Sequence, residues 1–260
     1  MSAQAAPRPR LTFLTGASSG LGEALAYRLA REGDTVVLTA RRVENLEAVA
    51  RKIRDEGGLA VPVALDVSDH EAVMRTLGAV EAEHGPVDRL ICNAGIGDPL
   101  PARQFTTDAV RRMFETNLYG VTSCIEAVLP GMLERRSGHI VGVSSLAGYR
   151  GLPASSSYAA SKAALTVLLE SLRVEIQTSG VAVTTICPGF VKTPMTERNK
   201  HPMPFIMELE DAAEIMHDAI RAKTTHVAFP WQLATVVRAG RLMPDAIYDR
   251  VLAKQRADKR

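Results

Sequence analysis

Short apolar runs alternate with longer amphipathic stretches along most of this chain. The runs are rich in β-branched residues and lie between glycine or polar positions, so each predicts a buried strand. They predict strands over 11–15, 35–39, 60–65, 88–92, 138–143, 181–186 and 226–229. The longer stretches repeat apolar residues at helical spacing. They predict helices over 21–32, 43–56, 69–84 capped by Asp69, 107–136 with an irregularity near Asn117, from Tyr158 to about 179, and 211–223.

Repeated strand–helix alternation predicts an α/β fold with a parallel sheet, right-handed crossovers and helices on both faces. No linker or internal repeat divides the chain, so we predict one domain over 1–260. Within it we expect a flexible N-terminal stretch at 1–9, a substrate loop or lid at 194–223 and a C-terminal extension at 230–260. We expect the extension to contact a second subunit or to cover the site. Contact with a membrane surface is the less favoured alternative, because the segment is short and interrupted by proline.

Composition and charge narrow the class of protein. The 260 residues are 46% hydrophobic and 23% charged, a composition typical of soluble globular proteins. The formal net charge of +2 is too small to indicate a nucleic-acid-binding protein. Cys92, Cys124 and Cys187 are widely spaced, which predicts free thiols, a reducing compartment and a cytoplasmic location. No spacing is typical of a metal site. We expect neither a secretion signal nor a membrane-spanning helix, since both need a longer apolar stretch.

A glycine-rich segment lies between the first predicted strand and the first predicted helix. Glycine permits a sharp turn and a close approach of the backbone, and the helix N-terminus that follows offers free N–H groups to an anion. This strand–turn–helix context predicts a site for the pyrophosphate of a dinucleotide. The alternative is a glycine-rich turn that binds nothing. The candidate residues are Gly16, Ser18, Ser19, Gly20, Leu21 and Gly22.

The end of the second predicted strand bears on which dinucleotide binds. An acid at this position usually holds the adenosine ribose, whereas an arginine accommodates a 2′-phosphate. Here the strand ends in Thr39-Ala40-Arg41-Arg42, with no carboxylate before Glu44. We therefore predict NADP(H) in preference to NAD(H), with Arg41 and Arg42 as phosphate contacts. Two solvated arginines at a helix start are the alternative.

Tyr158 and Lys162 stand four residues apart on a predicted helix and therefore share one face. A fixed ammonium favours a phenolate, and two unit charges ~4 Å apart gain roughly 4 kcal/mol at an effective dielectric of ~20. That gain corresponds to a phenol pKa lowered by about three units. The pair therefore predicts an acid and base that works near neutral pH. A half-buried tyrosine beside a solvated lysine is the simpler interpretation of the pair taken alone.

Taken together, these segments make the chain resemble the short-chain dehydrogenase/reductase family, in its NADP-preferring branch of about 250 residues. The matching segments stand in family order over most of the first ~195 residues. They are 15–22, Asn93-Ala94-Gly95, Asn117, Ser144-Ser145, 158–162 and 188–193. The resemblance implies a doubly wound, Rossmann-like domain with a seven-stranded parallel sheet.

The resemblance also implies the role of each catalytic residue. Tyr158 would give a proton to a carbonyl oxygen, and Ser145 would orient and polarise that carbonyl. Lys162 would lower the phenol pKa and hydrogen-bond the nicotinamide ribose. Asn117 would hold a water that links Lys162 to solvent. Independently of any family, two hydroxyl donors placed where negative charge develops would stabilise it.

Further residues are implied at the cofactor site. Asp66 would meet the adenine amino group, and Thr193 would hold the carboxamide. The remaining implied contacts are Val67, Asn93, Ala94, Gly95, Pro188, Gly189 and Val191, together with Tyr158 and Lys162.

The predicted substrate end is apolar. Residues near the serine and in the loop after Thr193 suggest the pocket walls, although methionine and phenylalanine there could equally pack the loop. They are Leu146, Tyr149, Leu152, Phe190, Met195 and 203–207, with Arg198 and His201 as polar candidates. We expect an NADPH-dependent enzyme that interconverts a carbonyl and a secondary alcohol, assembled as a homodimer or homotetramer. An NAD-dependent alcohol dehydrogenase and a non-catalytic NADP-binding sensor remain the alternatives.

Overall fold

The structure is a computed structural model that describes residues 8–197, 199 and 202–257, the last five by their backbone alone. Its strands are β1 (Leu11–Thr15), β2 (Thr35–Ala40), β3 (Leu59–Ala64), β4 (Arg89–Cys92), β5 (Gly138–Val143), β6 (Val181–Pro188) and β7 (His226–Phe229). Its helices are α1 (Gly20–Arg31), α2 (Val43–Asp55), α3 (His70–His84), α4 (Thr107–Phe114), α5 (Gly120–Glu134), α6 (Ser156–Glu175), α7 (Leu209–Arg221), α8 (Trp231–Leu242) and α9 (Asp245–Ala257).

The seven strands form one sheet in the order β3-β2-β1-β4-β5-β6-β7, and every described pair is parallel. The chain first builds outward from β1 to β3 and then crosses to β4 on the other side of β1. This reversal opens a crevice at the carboxyl ends of the central strands. The predicted Rossmann-like, seven-stranded sheet is confirmed.

Two apolar layers cover the sheet. Leu11 and Phe13 of β1 pack in the layer formed with α3, α5 and α6, whereas Leu14 packs in the layer formed with α1, α2 and α7. Successive side chains of a strand point to opposite faces. A strand that is buried on both faces therefore needs a continuous apolar run, which explains the sequence pattern.

Two local features of the helices agree with the sequence. Asp69 caps α3, because its carboxylate accepts a hydrogen bond from the backbone N–H of Ala72 at 2.9 Å. The irregularity near Asn117 is a π-helical segment, Glu115–Tyr119, between α4 and α5. Such π segments occur frequently at functional sites.

Two predicted boundaries differ from the structure. The Tyr158 helix ends at Glu175 and not near 179, because Gly180 takes a positive φ of 84° and passes close to the carbonyl of Arg136 as the chain enters β6. The predicted substrate loop at 194–223 is shorter, because α7 begins at Leu209 and packs in the core through Met216 and Ile220.

The C-terminal extension contains α8 and α9, which the sequence did not predict. Pro230 and Pro244 stand directly before these helices, and their carbonyls accept hydrogen bonds from Ala234 and Tyr248. Proline is well tolerated at a helix start, so both prolines begin helices here. No described helix is long and apolar enough to cross a membrane.

The N-terminal prediction is only partly covered by the structure. Residues 1–7 of the predicted flexible stretch lie outside the described residues. Arg8, the first described residue, forms an ion pair with Asp88 at 2.9 Å and donates to the carbonyl of Pro86 at 3.1 Å.

Candidate active site

A large cavity of about 1520 Å³ opens at the carboxyl ends of the strands. Ligand pockets usually measure ~300–1,000 Å³, so this cavity has room for a dinucleotide and a second molecule. Its walls include every cofactor contact predicted from the sequence: Gly16, Ser18, Ser19, Gly20, Leu21, Gly22, Arg41, Arg42, Asp66, Val67, Asn93, Ala94, Gly95, Tyr158, Lys162, Pro188, Gly189, Val191 and Thr193. Ser145 lines it as well, whereas Asn117 does not.

The glycine-rich turn after β1 has the shape that a pyrophosphate needs. Gly16 and Gly20 take positive φ angles of 68° and 58°, which disfavour residues with a side chain. A Cβ on Gly22 would lie 2.1 Å from the carbonyl oxygen of Gly16. The turn therefore brings bare backbone to the start of α1, where free N–H groups and the helix dipole favour an anion. These residues fit a dinucleotide.

Asn93 holds this turn against the end of β4. Its side-chain amide donates to the carbonyls of Thr15 and Gly16, each at 3.1 Å. In return, the Thr15 hydroxyl accepts from the backbone N–H groups of Asn93 and Ala94, each at 3.0 Å. The role of Asn93 in this structure is therefore to fix the turn.

One end of the cavity is positively charged. Arg41 and Arg42 follow β2 and are exposed, and Arg42 Nη2 lies 3.5 Å from the Ser18 hydroxyl. Among the described residues that line the cavity, Asp66 is the only carboxylate. Asp66 Oδ1 accepts from the backbone N–H and the hydroxyl of Ser68, at 3.0 and 2.7 Å. This end of the cavity, called here the ribose end, thus offers the Arg41 and Arg42 cations and the Ser18 hydroxyl to a ligand.

Ser145 and Tyr158 line the cavity near the centre of the crevice. Ser145 lies two residues after the end of β5, is 9% exposed, and its hydroxyl accepts from the Ala147 backbone N–H at 3.1 Å. Tyr158 lies in the first turn of α6 and is half-buried. Lys162, one turn later, is buried, and its Nζ lies 5.9 Å from the centre of the Tyr158 ring.

The pKa of Tyr158 differs from the sequence prediction. Burial raises the pKa of Tyr158 above 10.0, although the neighbouring Ser145 hydroxyl acts in the opposite direction. Burial also lowers the pKa of Lys162 from 10.5 to about 8. Lys162 Nζ donates to the carbonyl of Val143 at 2.8 Å. The predicted lowering of the phenol pKa is therefore not seen in this structure, where desolvation of the phenol has the largest effect on its pKa and raises it.

Asn117 lies behind the cavity wall, in the π-helical segment. It is fully buried, and its amide oxygen accepts from the Ile96 N–H at 2.9 Å. Its amide nitrogen donates to the Ile96 carbonyl and the Ser161 hydroxyl, at 3.0 and 3.1 Å. Because this side chain is committed to protein partners, a bound water at Asn117 would have to use its backbone.

Thr193 stands at the junction of the cofactor and substrate regions. Its backbone N–H donates to the Thr196 hydroxyl at 3.0 Å, and a Cβ on Gly20 would lie 3.3 Å from its methyl group. The turn at 193–196 therefore touches the glycine-rich segment. Val191 is buried and pairs with Met207 across an isolated parallel bridge, which holds the base of the loop.

The substrate end agrees with the sequence only in part. Leu146, Leu152, Phe190, Met195 and 202–204 line the cavity. Tyr149 does not: its hydroxyl lies 2.7 Å from His226 Nε2. Residues 205–207 also lie outside the cavity wall, and the two polar candidates, Arg198 and His201, lie outside the described residues.

One side of the cavity comes from the C-terminal extension, which was expected to contact a second subunit or to cover the site, but none of its residues was predicted as part of the cavity wall. The residues of α8, α9 and the link between them that line this side are Leu233, Val236, Val237, Gly240, Met243, Tyr248, Val251 and Leu252. Arg150, which contacts this segment, lines the cavity as well. Spacings of three and four residues within 233–240 and 248–252 are those of one helical face. This periodicity is the sequence feature from which these two helices could have been predicted. No cluster of three or more metal-binding side chains occurs in the described part of the chain.

Comparisons with known proteins agree with this geometry. Residues 10–203 match the family model for short chain dehydrogenases. An uncharacterized oxidoreductase of Myxococcus xanthus is 44% identical over 240 residues, which is 92% of this chain and 95% of that protein.

Two solved structures are also similar to this chain. A short-chain dehydrogenase from Sphingobium yanoikuyae in complex with NADPH has 26% identity and a TM-score of 0.79, covering 91% of this chain and 97% of that one. A short chain dehydrogenase/reductase from Burkholderia phymatum in complex with NAD has 25% identity and a TM-score of 0.81, covering 88% and 92%. Both nicotinamide dinucleotides thus occur among the structural neighbours.

Proposed function

Because the chain belongs to the short-chain dehydrogenase/reductase family and is an NAD(P)-dependent oxidoreductase, we propose that it interconverts a carbonyl and a secondary alcohol with NADP(H), with Tyr158 as the acid and base. The observation that carries the proposal is the placement of Ser145 and Tyr158 in the same cavity as the glycine-rich turn. The cofactor supplies the hydride, and the protein supplies position and a proton.

Each hydroxyl has a defined task in this proposal. The Ser145 Oγ accepts from the Ala147 N–H at 3.1 Å and donates a long hydrogen bond of 3.4 Å to the Pro188 carbonyl. A substrate carbonyl in the cavity would replace Pro188 as the acceptor of that proton. Tyr158 donates the second hydrogen bond and then its proton. Two fixed donors stabilise the negative charge that develops on the oxygen, and removal of one such donor typically costs ~10²–10³ in kcat.

The ionisation state of Tyr158 favours reduction. Because burial raises its pKa, the phenol is protonated at neutral pH and ready to act as an acid. Oxidation of an alcohol needs the phenolate, which a raised pKa disfavours. Lys162, with a pKa of about 8, can exchange a proton near physiological pH and would also hold the nicotinamide ribose.

The preference for NADP(H) rests on the end of β2. Arg41, Arg42 and Ser18 line the cavity after β2 and would hold a 2′-phosphate, and no carboxylate stands at the end of β2 to bind a ribose 2′-hydroxyl. Asp66, whose Oδ2 is not engaged by Ser68, would accept from the adenine amino group. We propose an apolar small-molecule substrate. The cytoplasmic location and the homodimeric or homotetrameric assembly stay predictions.

A substrate panel with matched tyrosine variants tests this function. We expect the wild-type protein to oxidise NADPH in the presence of apolar ketones or aldehydes. Tyr158→Phe should lose turnover by about 10³-fold or more while still binding NADPH, since only the proton donor is removed. Tyr149→Phe is the control, because its hydroxyl faces His226 outside the cavity.

The outcomes separate an enzyme from a sensor. Undiminished turnover by Tyr158→Phe would refute the proton-donor role. NADPH binding by the wild type without turnover of any carbonyl would instead favour the non-catalytic alternative.

A further inference from the structure

The helices α8 and α9, called here the C-terminal lid (Trp231–Leu242 and Asp245–Ala257), form one side of the substrate end of the cavity. Among the described side chains of the lid, Leu233 and Ala234 at its base are buried beside Leu146 and Cys187, and Val237 packs against them. Farther along, Val236 and Val251 line the cavity yet are 60% and 46% exposed. The inner face of the lid is therefore apolar and only partly covered by other side chains.

Arg150 fastens this lid to the body of the protein. Its Nη1 donates to the carbonyl of Met243 at 2.7 Å and also to that of Gly240. Its Nη2 forms an ion pair with Asp245 at 2.7 Å. The Arg150 side chain is largely buried, with 15% of it exposed. The guanidinium thus binds both ends of the link between α8 and α9.

Tyr248 completes the attachment. The Arg150 guanidinium lies 3.8 Å from the centre of the Tyr248 ring, and the Tyr248 hydroxyl donates to the Gly151 carbonyl at 2.7 Å. A cation stacked on an aromatic ring adds ~0.5–2 kcal/mol, and a planar fork of donors is a geometry that lysine does not reproduce. Arg150 follows Ser145 by five residues, so the lid is attached to the same segment that carries the reactive hydroxyl.

We propose that Arg150 locks the C-terminal lid over the substrate end, and that the locked lid selects carbonyl substrates with a long or bulky apolar body. The inference rests on the proposed reductase function. A small ketone reaches Ser145 and Tyr158 without touching the lid. A long one lays its hydrocarbon chain along Val236, Val251 and their neighbours, and so removes apolar surface from water. Arg150 is a positioning residue in this account, since it acts through the lid.

A series of linear 2-ketones tests the selection. Each methylene that enters the lid should raise kcat/KM about fourfold in the wild type, which corresponds to ~0.8 kcal/mol per buried CH₂. Arg150→Met keeps the length of the side chain but removes the fork and the charge, so the gain per methylene should fall to about twofold or less. The loss should lie mainly in KM. Arg150→Lys should be intermediate, and Arg241→Met, an exposed position on the last turn of α8, should match the wild type.

Hydrogen exchange tests the lock without reference to catalysis. Arg150→Met should speed exchange of the α9 amides by about tenfold or more, because local opening becomes easier. Tyr248→Phe, which removes one hydroxyl, is the milder variant if Arg150→Met fails to fold, and it should shift both readouts in the same direction.

The two proposals can fail separately. An unchanged gain per methylene in the folded variants would overturn the lid proposal and leave the reductase function intact. Unchanged α9 exchange would overturn the lock. If no ketone is reduced with either cofactor, the reductase function fails, and with it the selection of substrates, while the exchange data still decide whether Arg150 holds the lid.

Discussion

Replacing Arg41 or Arg42 by alanine removes one cation from the ribose end of the cavity. A phosphate carries about −1.5 to −2 charges at pH 7. At ~4 Å and an effective dielectric of ~20, one unit charge pair is worth at most roughly 4 kcal/mol. Both arginines are exposed, so salt weakens the interaction, and hydrogen bonds to charged groups typically contribute ~1.5–3 kcal/mol. We take the lower value and expect each variant to raise KM for NADPH about tenfold.

NADH serves as the internal comparison, because it lacks the 2′-phosphate. Its KM should change less than about twofold in either variant, since no charged contact is lost. Arg51→Ala, at an exposed position on the following helix α2 but away from the cavity, should change neither constant. Steady-state kinetics at two salt concentrations provides the measurement, and the effect on NADPH should shrink at the higher one. An equal loss for NADPH and NADH would refute the 2′-phosphate site.

Three further predictions concern the scaffold. Gly22→Ala should abolish NADPH binding, measured by fluorescence titration, because its Cβ would lie 2.1 Å from the carbonyl oxygen of Gly16. Asp34→Asn should lower the free energy of unfolding by about 3–5 kcal/mol in urea titrations, since Asp34 is buried and accepts from the buried Arg89 at 2.9 Å. His139 has a pKa lowered from 6.5 to about 3 by burial, so the unfolded state binds the extra proton between these values and stability falls as pH decreases. Between pH ~6.5 and ~4.5 this amounts to about 2 kcal/mol, which His139→Gln should remove.

Matched positions control these three experiments. Gly78→Ala in α3 has open space around its Cβ and should leave NADPH binding intact. Asp108→Asn breaks an exposed ion pair with Arg111 and should cost no more than about 1 kcal/mol. Three outcomes would contradict the reasoning. They are an Asp34→Asn variant as stable as Asp108→Asn, a Gly22→Ala variant that binds NADPH normally, and an unchanged loss of stability at low pH in His139→Gln.

The sheet and the cofactor end could be predicted because local sequence determines them. The run 11–15 predicted β1 to the residue, since a strand covered on both faces is formed by apolar and uncharged β-branched residues. The glycines of the turn are required by backbone geometry that no other residue adopts cheaply. Ser145, Tyr158 and Lys162, which the family resemblance implied as site residues, likewise line one cavity.

Other features depend on contacts between distant parts of the chain. Pro230 and Pro244 were interpreted as interruptions, yet each begins a helix whose position depends on Arg150, about 90 residues earlier. The pKa of Tyr158 was expected to fall because sequence spacing shows the neighbouring lysine but not the burial of the phenol. Burial and contacts between distant residues are properties of the assembled fold. The periodicity of apolar residues along the sequence does not reveal them.

The central claim is that Tyr158 and Ser145 receive the substrate oxygen beside the nicotinamide ring. A crystal structure of the protein with NADP and a bound alcohol measures this directly. We expect both hydroxyl oxygens within ~3.2 Å of the alcohol oxygen, and the carbinol carbon ~3–3.5 Å from C4 of the ring. An alcohol oxygen bonded to neither hydroxyl, or a ring whose C4 lies away from Tyr158, would contradict the account.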